Sequence, residues 1–389
     1  MKRKFIVLVA AVMACVTLFS FSTSAASKWL ADEKLPSMGE YDYSFVFIGD
    51  TQILTMLDAG NTNKEEGSLP SEWKNQNYMN TLYQWIVDNK EEKKIEYVVG
   101  LGDITENISR DNEWAIANKA ITKLNGVVPY SMARGNHDGG AKFKEYIVDK
   151  NPGYTDQFVD TFGFEKLNTA ATLSVAGVDY LFVTINCDPT DNELKWAGDT
   201  IAKYPNHRVI LSTHYYLSNS GKIATDVSSL KGPNCGQDIW DKLVSKHENI
   251  FMVVCGHVGV DTIIQSKLKR ESGSIVYQFL INPQGLDFSE APTGLVAIFY
   301  FNETNATFSM EYYSTVQDKY RSLAPYRVRF GEPKATEAPE TTLAPSDEGE
   351  ETVDTTGNSG CGNVIGYASM PLVIGSGITA FTVSKKRKK

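Results

Sequence analysis

The chain has 389 residues, 42% hydrophobic and 11% aromatic, a globular composition with enough apolar side chain for one large domain or two small ones. Its formal charge of -9 argues against general nucleic-acid binding, but leaves room for a small phosphorylated ligand held through metal. Beyond Cys15, the four cysteines (Cys187, Cys235, Cys255, Cys361) show neither a disulfide framework nor zinc-knuckle spacing.

Lys2-Arg3-Lys4, the apolar run Phe5 to Phe21 and the small residues Ser24-Ala25-Ala26 read as a secretory signal peptide over 1–26. A retained N-terminal anchor is the competing reading. Lipidation at Cys15 is disfavoured by the apolar sequence that continues past it.

Tyr43 to Ile48 is an apolar strand ending in Gly49-Asp50-Thr51-Gln52. Ile53 to Ser71 reads as a polar loop. Trp73 to Lys90 has helical spacing, with Met79, Leu82, Trp85 and Ile86 on one face. The strand Ile95 to Val99 runs into Gly100-Leu101-Gly102-Asp103, and Asn112 to Leu124 is a second amphipathic helix. Val127 to Ala133 is a third strand, followed by Arg134 and Gly135-Asn136-His137-Asp138. An Asx-type turn is the ordinary explanation of that tetrad. An amide, an imidazole and a carboxylate beyond a strand's carboxyl end also suit a metal or phosphate site, because ligands in open α/β sheets sit there.

Ala141 to Leu173 looks irregular. The strand Asp179 to Ile185 precedes a capping box, Thr190 with Glu193, that opens a helix to about Tyr204. Arg208 to Thr213 is a strand ending at His214. Gln237 to Lys246 is a helix, and Ile250 to Cys255 leads into Gly256-His257. Ser274 to Ile281, Leu295 to Phe301 and Ala306 to Ser314 follow as strands without helices between them. The pattern is one layered α/β domain over 41–331, closed by antiparallel strands.

Residues 332–360 are rich in Pro, Thr and acids and read as a disordered stalk. Val364 to Ser384 is an uncharged stretch long enough to span a bilayer, and the basic tail Lys385 to Lys389 belongs on the cytoplasmic side. The expected topology is an exported body on the extracellular side of the membrane, held by one C-terminal helix.

Three of the chain's five histidines, His137, His214 and His257, lie just past apolar runs, beside Asp50, Asp103 and Asn136 at other strand ends. Carboxylates, imidazoles and an amide oxygen make a mixed site suited to Mn, Fe, Zn or Mg. His207 and His247 read as structural, the latter as a cation near a helix end.

These blocks, in this order, resemble the calcineurin-like metallophosphoesterase family, whose pattern is D-x-H, G-D, G-N-H-D/E, a lone His, then G-H-x-H. The resemblance covers roughly Tyr41 to Ser314 and implies an αββα sandwich and one or two divalent ions. It implies Asp103 as the bridging ligand, Asn136, His214 and His257 completing the second metal position, and Asp50 in the first. His137 would bind phosphate and protonate the leaving oxygen, with Asp138 orienting its ring. Arg134 is a candidate phosphate contact, with a plain surface arginine as the alternative.

Two positions depart from the pattern. Gln52 stands where the family usually has His, and Gly259 where it has a second His. The first position is left oxygen-rich, with Asp50, Asp103 and the Gln52 amide, and favours Mg, Mn or Ca. Asp261 is a candidate to compensate, against an ordinary surface role.

The resulting expectation is a membrane-tethered phosphoesterase acting on a mono- or diester of a small molecule or envelope component. The other reading is a surface binding module that keeps the fold without turnover. Substrate choice would lie in the loops 53–71, 141–173 and 215–236, whose aromatics Tyr146, Tyr154, Phe158, Phe162, Phe164, Tyr215 and Tyr216 either stack on substrate or pack on the body.

Overall fold

A computed structural model describes residues 29–30, 40–62, 69–227, 230, 232–260, 263–289 and 291–334. The expected signal peptide, the stalk beyond residue 334, the membrane helix, the basic tail, Asp261 and Cys361 lie outside them. Among the described residues no helix is long and apolar enough to cross a membrane.

The strands are β1 (Trp29–Leu30), β2 (Tyr43–Ile48), β3 (Ile95–Gly100), β4 (Tyr130–Met132), β5 (Asp160–Phe162), β6 (Asn168–Val175) and β7 (Val178–Thr184). They continue with β8 (Arg208–Ser212), β9 (Ile250–Cys255), β10 (Ile264–Lys269), β11 (Ile275–Leu280), β12 (Leu295–Asn302), β13 (Thr307–Ser314) and β14 (Lys319–Arg329). The helices are α1 (Gln52–Asp58), α2 (Tyr78–Asn89), α3 (Asp111–Ile121), α4 (Gly140–Phe143), α5 (Asp191–Ala202), α6 (Gly236–Lys242) and α7 (Gln284–Ser289).

Two seven-stranded sheets form, in the orders β1-β14-β13-β12-β2-β3-β4 and β10-β11-β9-β8-β7-β6-β5. The central pairs β2–β3, β3–β4, β7–β8, β8–β9 and β9–β11 are parallel. Such strands are covered on both faces, which is why they read as predominantly apolar runs. Alternate residues of β2 show the layering. Phe45 and Phe47 face the second sheet, against Phe182, Met252 and Phe279. Val46 and Ile48 face α1, α2 and α3 through Met56, Leu82 and Trp114. The second sheet turns Val183, Leu211 and Val253 toward α5 and α6. This is the αββα sandwich that the resemblance implies.

The sheets are also pinned at their far end. The Tyr43 hydroxyl donates to Glu303 Oε1 at 2.5 Å, and Arg208 reaches the same carboxylate at 2.6 Å. Tyr43 and Arg208 begin β2 and β8, so this buried clamp lies at the amino ends and leaves the carboxyl ends for other use.

Several expected boundaries need correction. Ile53 to Ser71 is not all loop: α1 buries Ile53, Leu54, Met56 and Leu57, a short apolar stripe that the polar residues after it obscure. Asp58, at the end of α1, accepts from the Tyr78 and Met79 amides at 2.8 Å each, so a side chain distant in sequence caps α2 and starts it later than Trp73. The ladder of β4 begins only at Tyr130, because Pro129 has no N–H to give. The stretch 141–173 contains most of α4, then β5 and most of β6; β6 buries small Thr and Ala residues, which carry little apolar signal. The strands β10 and β14 and the helix α7 were not expected. Among the described residues Cys187, Cys235 and Cys255 form no disulfide with one another, and the first and last are buried. Burial and then Arg270 hold His247 below its usual range, which disfavours the cation expected near the helix end.

Candidate metal centre

Six strand ends meet at the carboxyl edge of the two sheets. Asp50 follows β2, Asp103 follows β3, the tetrad follows β4, His214 follows β8, His257 follows β9 and Asn282 follows β11. Two of these side chains sit on left-handed backbone, Asp103 at φ 47° and His257 at φ 73°. Non-glycine residues adopt such a conformation at a cost of about 1–2 kcal/mol, a strain that clusters at functional sites. Close approach accounts for two glycines. A Cβ on Gly135 would lie 2.1 Å from the Asp103 carboxylate, and one on Gly256 would lie 2.3 Å from that of Asp50.

His214 is fully buried and its Nδ1 pairs with the Leu101 carbonyl at 2.8 Å. A carbonyl only accepts, so Nδ1 carries a proton and Nε2 is left to face the site. Around Nε2 stand Asn136 Oδ1 at 3.0 Å, Asp103 Oδ2 at 3.2 Å and His257 Nδ1 at 3.2 Å. The ligand atoms of Asp103, His214 and His257 all lie within 4.8 Å of one another. Nitrogen and oxygen lone pairs converge here, an arrangement that a proton or a cation reconciles.

The electrostatics reflect that demand. Burial alone would lower His214, but Asp103 and then Asp50 outweigh it and raise the ring to about 9. His257 goes the other way, to about 4, through burial and then the neighbouring His214. Burial alone would raise Asp103, but His214 outweighs it and holds the carboxyl below its usual range. Burial drives Asp50 up to about 8.

The donor set fits a metal. Two imidazole nitrogens, a carboxylate and an amide oxygen suit a borderline divalent ion. Beside them Gln52 donates from Nε2 to Asp103 Oδ2 at 3.3 Å, while its buried Oε1 finds no donor among the described residues. Leaving a buried amide oxygen unpaired costs about 1–3 kcal/mol. A second cation held by Asp50, Gln52 and Asp103 would remove that cost. At Gly259 an added Cβ would meet, among the described residues, only the Gly285 amide nitrogen, at 4.0 Å.

His137 donates its backbone N–H to Asp103 Oδ1 at 2.9 Å, and its Nδ1 pairs with the Glu106 carbonyl at 2.8 Å. The Glu106 carboxylate stands 3.7 Å from the same nitrogen. The side chain is about one third exposed at 34%, so Nε2 is the nitrogen free to meet a ligand. Burial lowers His137, but Asp103, the Glu106 carbonyl and the Glu106 and Asp138 charges raise it overall.

Two expected roles change. Asp138 does not orient the His137 ring. Its buried carboxylate accepts from the amides of Ile104, Thr105 and Gly135 at 3.0 Å each and from the Thr105 hydroxyl at 3.2 Å. It fastens the tetrad to the Asp103 loop, and the Glu106 carbonyl orients the ring instead. Arg134 is no free phosphate contact: it pairs with Asp188, donates to Asn186 Oδ1 at 2.8 Å and to the Asp138 carbonyl at 3.0 Å. It walls a cavity of about 550 Å3 with Gly140, Phe162, Glu165, Asp188 and Glu193. Among the loop aromatics Tyr146, Tyr154, Tyr215 and Tyr216 are buried as packing, while Phe164 is exposed. Tyr215 packs its ring 4.7 Å from that of His257.

Asn282, Glu106 and Asp188 were missed as contributors. Asn282 carried a signal, since it follows the apolar run Ser274 to Ile281 as the other ligands follow theirs. Glu106 acts largely through its backbone, to which side-chain pattern is blind.

Residues 43–261 match the family model described as calcineurin-like phosphoesterase. The uncharacterized protein YvnB of Bacillus subtilis is 28% identical over 247 residues, 61% of this chain and 18% of that one. A probable glycerophosphodiester phosphodiesterase GpdQ of Arcobacter nitrofigilis is 25% identical over 193 residues, 48% of this chain and 66% of that one. The chain thus spans less than two thirds of either relative's length. Among solved structures, a dimetal phosphatase from Danio rerio has a TM-score of 0.48 at 13% identity, covering 75% of this chain and all of that one. A purple acid phosphatase from yellow lupin seeds has a TM-score of 0.42 at 13% identity, covering 79% and 58%. With more than half of its length matched by one family model, and the candidate ligands before residue 261 gathered at one sheet edge within that match, the chain belongs to the calcineurin-like phosphoesterase family.

Proposed function

We propose that the protein is a metal-dependent phosphoesterase, exported and tethered to the membrane by its C-terminal segment, that hydrolyses a mono- or diester of a small molecule or envelope component. The observation that carries the activity is the convergence of Asn136 Oδ1, Asp103 Oδ2 and His257 Nδ1 on His214 Nε2. Family membership and the phosphodiesterase named among the relatives support it. Export and tethering rest on sequence at 1–26 and 364–389.

Asp103, Asn136, His214 and His257 would hold one ion, of the Mn, Fe or Zn type. Asp50, Gln52 and Asp103 would hold a harder, weaker one, of the Mg, Mn or Ca type. Divalent ions in such a place supply positive charge to phosphoryl oxygens and lower the pKa of water for attack. The chain's own part lies with His137. The Glu106 carbonyl fixes its ring, nearby carboxylates favour its protonated form, and exposed Nε2 is placed to give a proton to the departing alcohol oxygen.

Metal counting and turnover on the same preparation test the proposal. We expect at least one ion per chain and Mn-stimulated hydrolysis of an aryl phosphodiester or monoester. Bound metal with no hydrolysis of either would favour a binding module that retains the fold.

A further inference from the structure

Asp50 is more tightly tethered than a simple ligand need be. Its Oδ2 accepts from the His257 amide at 3.0 Å and from Asn282 Nδ2 at 2.6 Å, which uses both of its lone pairs. Its Oδ1 receives the longer arm from the His257 amide, at 3.2 Å, and accepts from no other side chain among the described residues.

The Asn282 amide cannot be turned around without loss. Its Oδ1 accepts from the Gln284 backbone N–H at 2.9 Å, so Nδ2 must face Asp50. The side chain is fully buried. Its backbone is wedged in place as well. A Cβ on Gly49 would lie 2.2 Å from the Ile281 carbonyl oxygen and 3.1 Å from Asn282 Cα, so the β11 end packs on the residue before Asp50. The Asn282 carbonyl accepts from the Val260 amide at 3.0 Å, which holds the segment just past Gly259.

We infer that Asn282 is a positioning residue for the first metal position, locking the Asp50 carboxylate through Oδ2 so that Oδ1 alone is presented to a cation. This rests on the metallophosphoesterase reading of the site. It also gives a reason why that position survives without imidazoles at 52 and 259. A carboxylate pre-set by a neutral amide loses less rotational freedom on binding than a free one.

The test is Mn2+ titration of the full-length, metal-stripped protein by calorimetry, with thermal melting alongside. Asn282→Leu keeps the side chain's shape, Asn282→Ala opens the space, and both remove the donor. Wild type should show a tight and a weak class of site. Both variants should weaken the weak class about 10- to 100-fold and leave the tight class unchanged. An unchanged weak class in Asn282→Leu, with wild-type melting, overturns the proposal. So does equal loss of both classes, which marks a purely structural residue, and so does a single class in wild type. If wild type binds Mn2+ in two classes and hydrolyses no phosphate ester, the enzyme reading fails while the assignment of Asn282 stands.

Discussion

His214 Nε2 lies 3.0 Å from Asn136 Oδ1 while the other ring nitrogen is committed to the Leu101 carbonyl, so Nε2 either carries a proton toward the site or presents its lone pair to a cation. The metal assignment takes the second case. Asp103→Ala, His214→Ala and His257→Ala should therefore each lose the tight ion and all turnover together. EDTA should lower the melting temperature of wild type, because ligand binding to the native state alone stabilises it. The same treatment should leave Asp103→Ala unmoved. An EDTA-sensitive Asp103→Ala would contradict the assignment.

His137 and Asp138 are adjacent but predict opposite phenotypes. His137→Ala should keep its metal and its stability within about 1 kcal/mol, since its ring is partly exposed. Its turnover should fall about 100-fold or more on poor leaving groups and least on good ones. Asp138→Ala removes a buried carboxylate that accepts four hydrogen bonds and should cost about 3 kcal/mol or more of stability. Urea unfolding of the two variants side by side decides the matter; similar midpoints would mean that Asp138 is not the anchor.

Room for a Cβ at Gly259 and a Gln52 oxygen without a donor, both among the described residues, make the first position upgradeable. Gln52→His combined with Gly259→His should tighten the weak ion and shift its preference toward Zn, since imidazole replaces oxygen. Elemental analysis after dialysis checks it. A stoichiometry identical to wild type would show that the position is not built from these residues.

Asp287 sets a pH dependence through its own burial. Burial raises its carboxyl to about 7, against an unfolded value near about 3.9. Between these values the folded state binds the extra proton, so stability is fully present below about pH 4 and falls as pH rises toward 7. The slope from this one group is at most about 1.4 kcal/mol per pH unit. Asp287→Asn keeps an oxygen to accept from the Thr293 amide and hydroxyl, at 2.7 Å and 2.6 Å. It should match wild type at pH 4 and exceed it at pH 8 by about 1–3 kcal/mol. A variant less stable than wild type at pH 8 would refute the sign.

Much of the centre is legible in the amino-acid sequence. Asp50, Asp103, Asn136, His137, His214 and His257 each lie just past a predominantly apolar run, the pattern that a doubly covered parallel strand leaves. The Thr190–Glu193 capping box forms as its spacing predicts, because its reciprocal bonds are local. What escaped was non-local or carried by backbone. The Asp58 carboxylate caps a helix 20 residues away, and the Glu106 carbonyl holds a ring 31 residues on.

The linear order of residues determined which side chains stand at strand ends and what chemistry they bring together, since burial periodicity and residue type are local properties. Tertiary structure alone decided their division of labour. Whether Asp138 turns a ring or ties two loops, whether Arg134 meets phosphate or Asp188, and whether Asn282 reaches Asp50 depends on which partners packing brings within about 3 Å. No spacing along the chain encodes that, because each hydrogen bond is chosen by the competition among all donors and acceptors that the folded backbone makes neighbours.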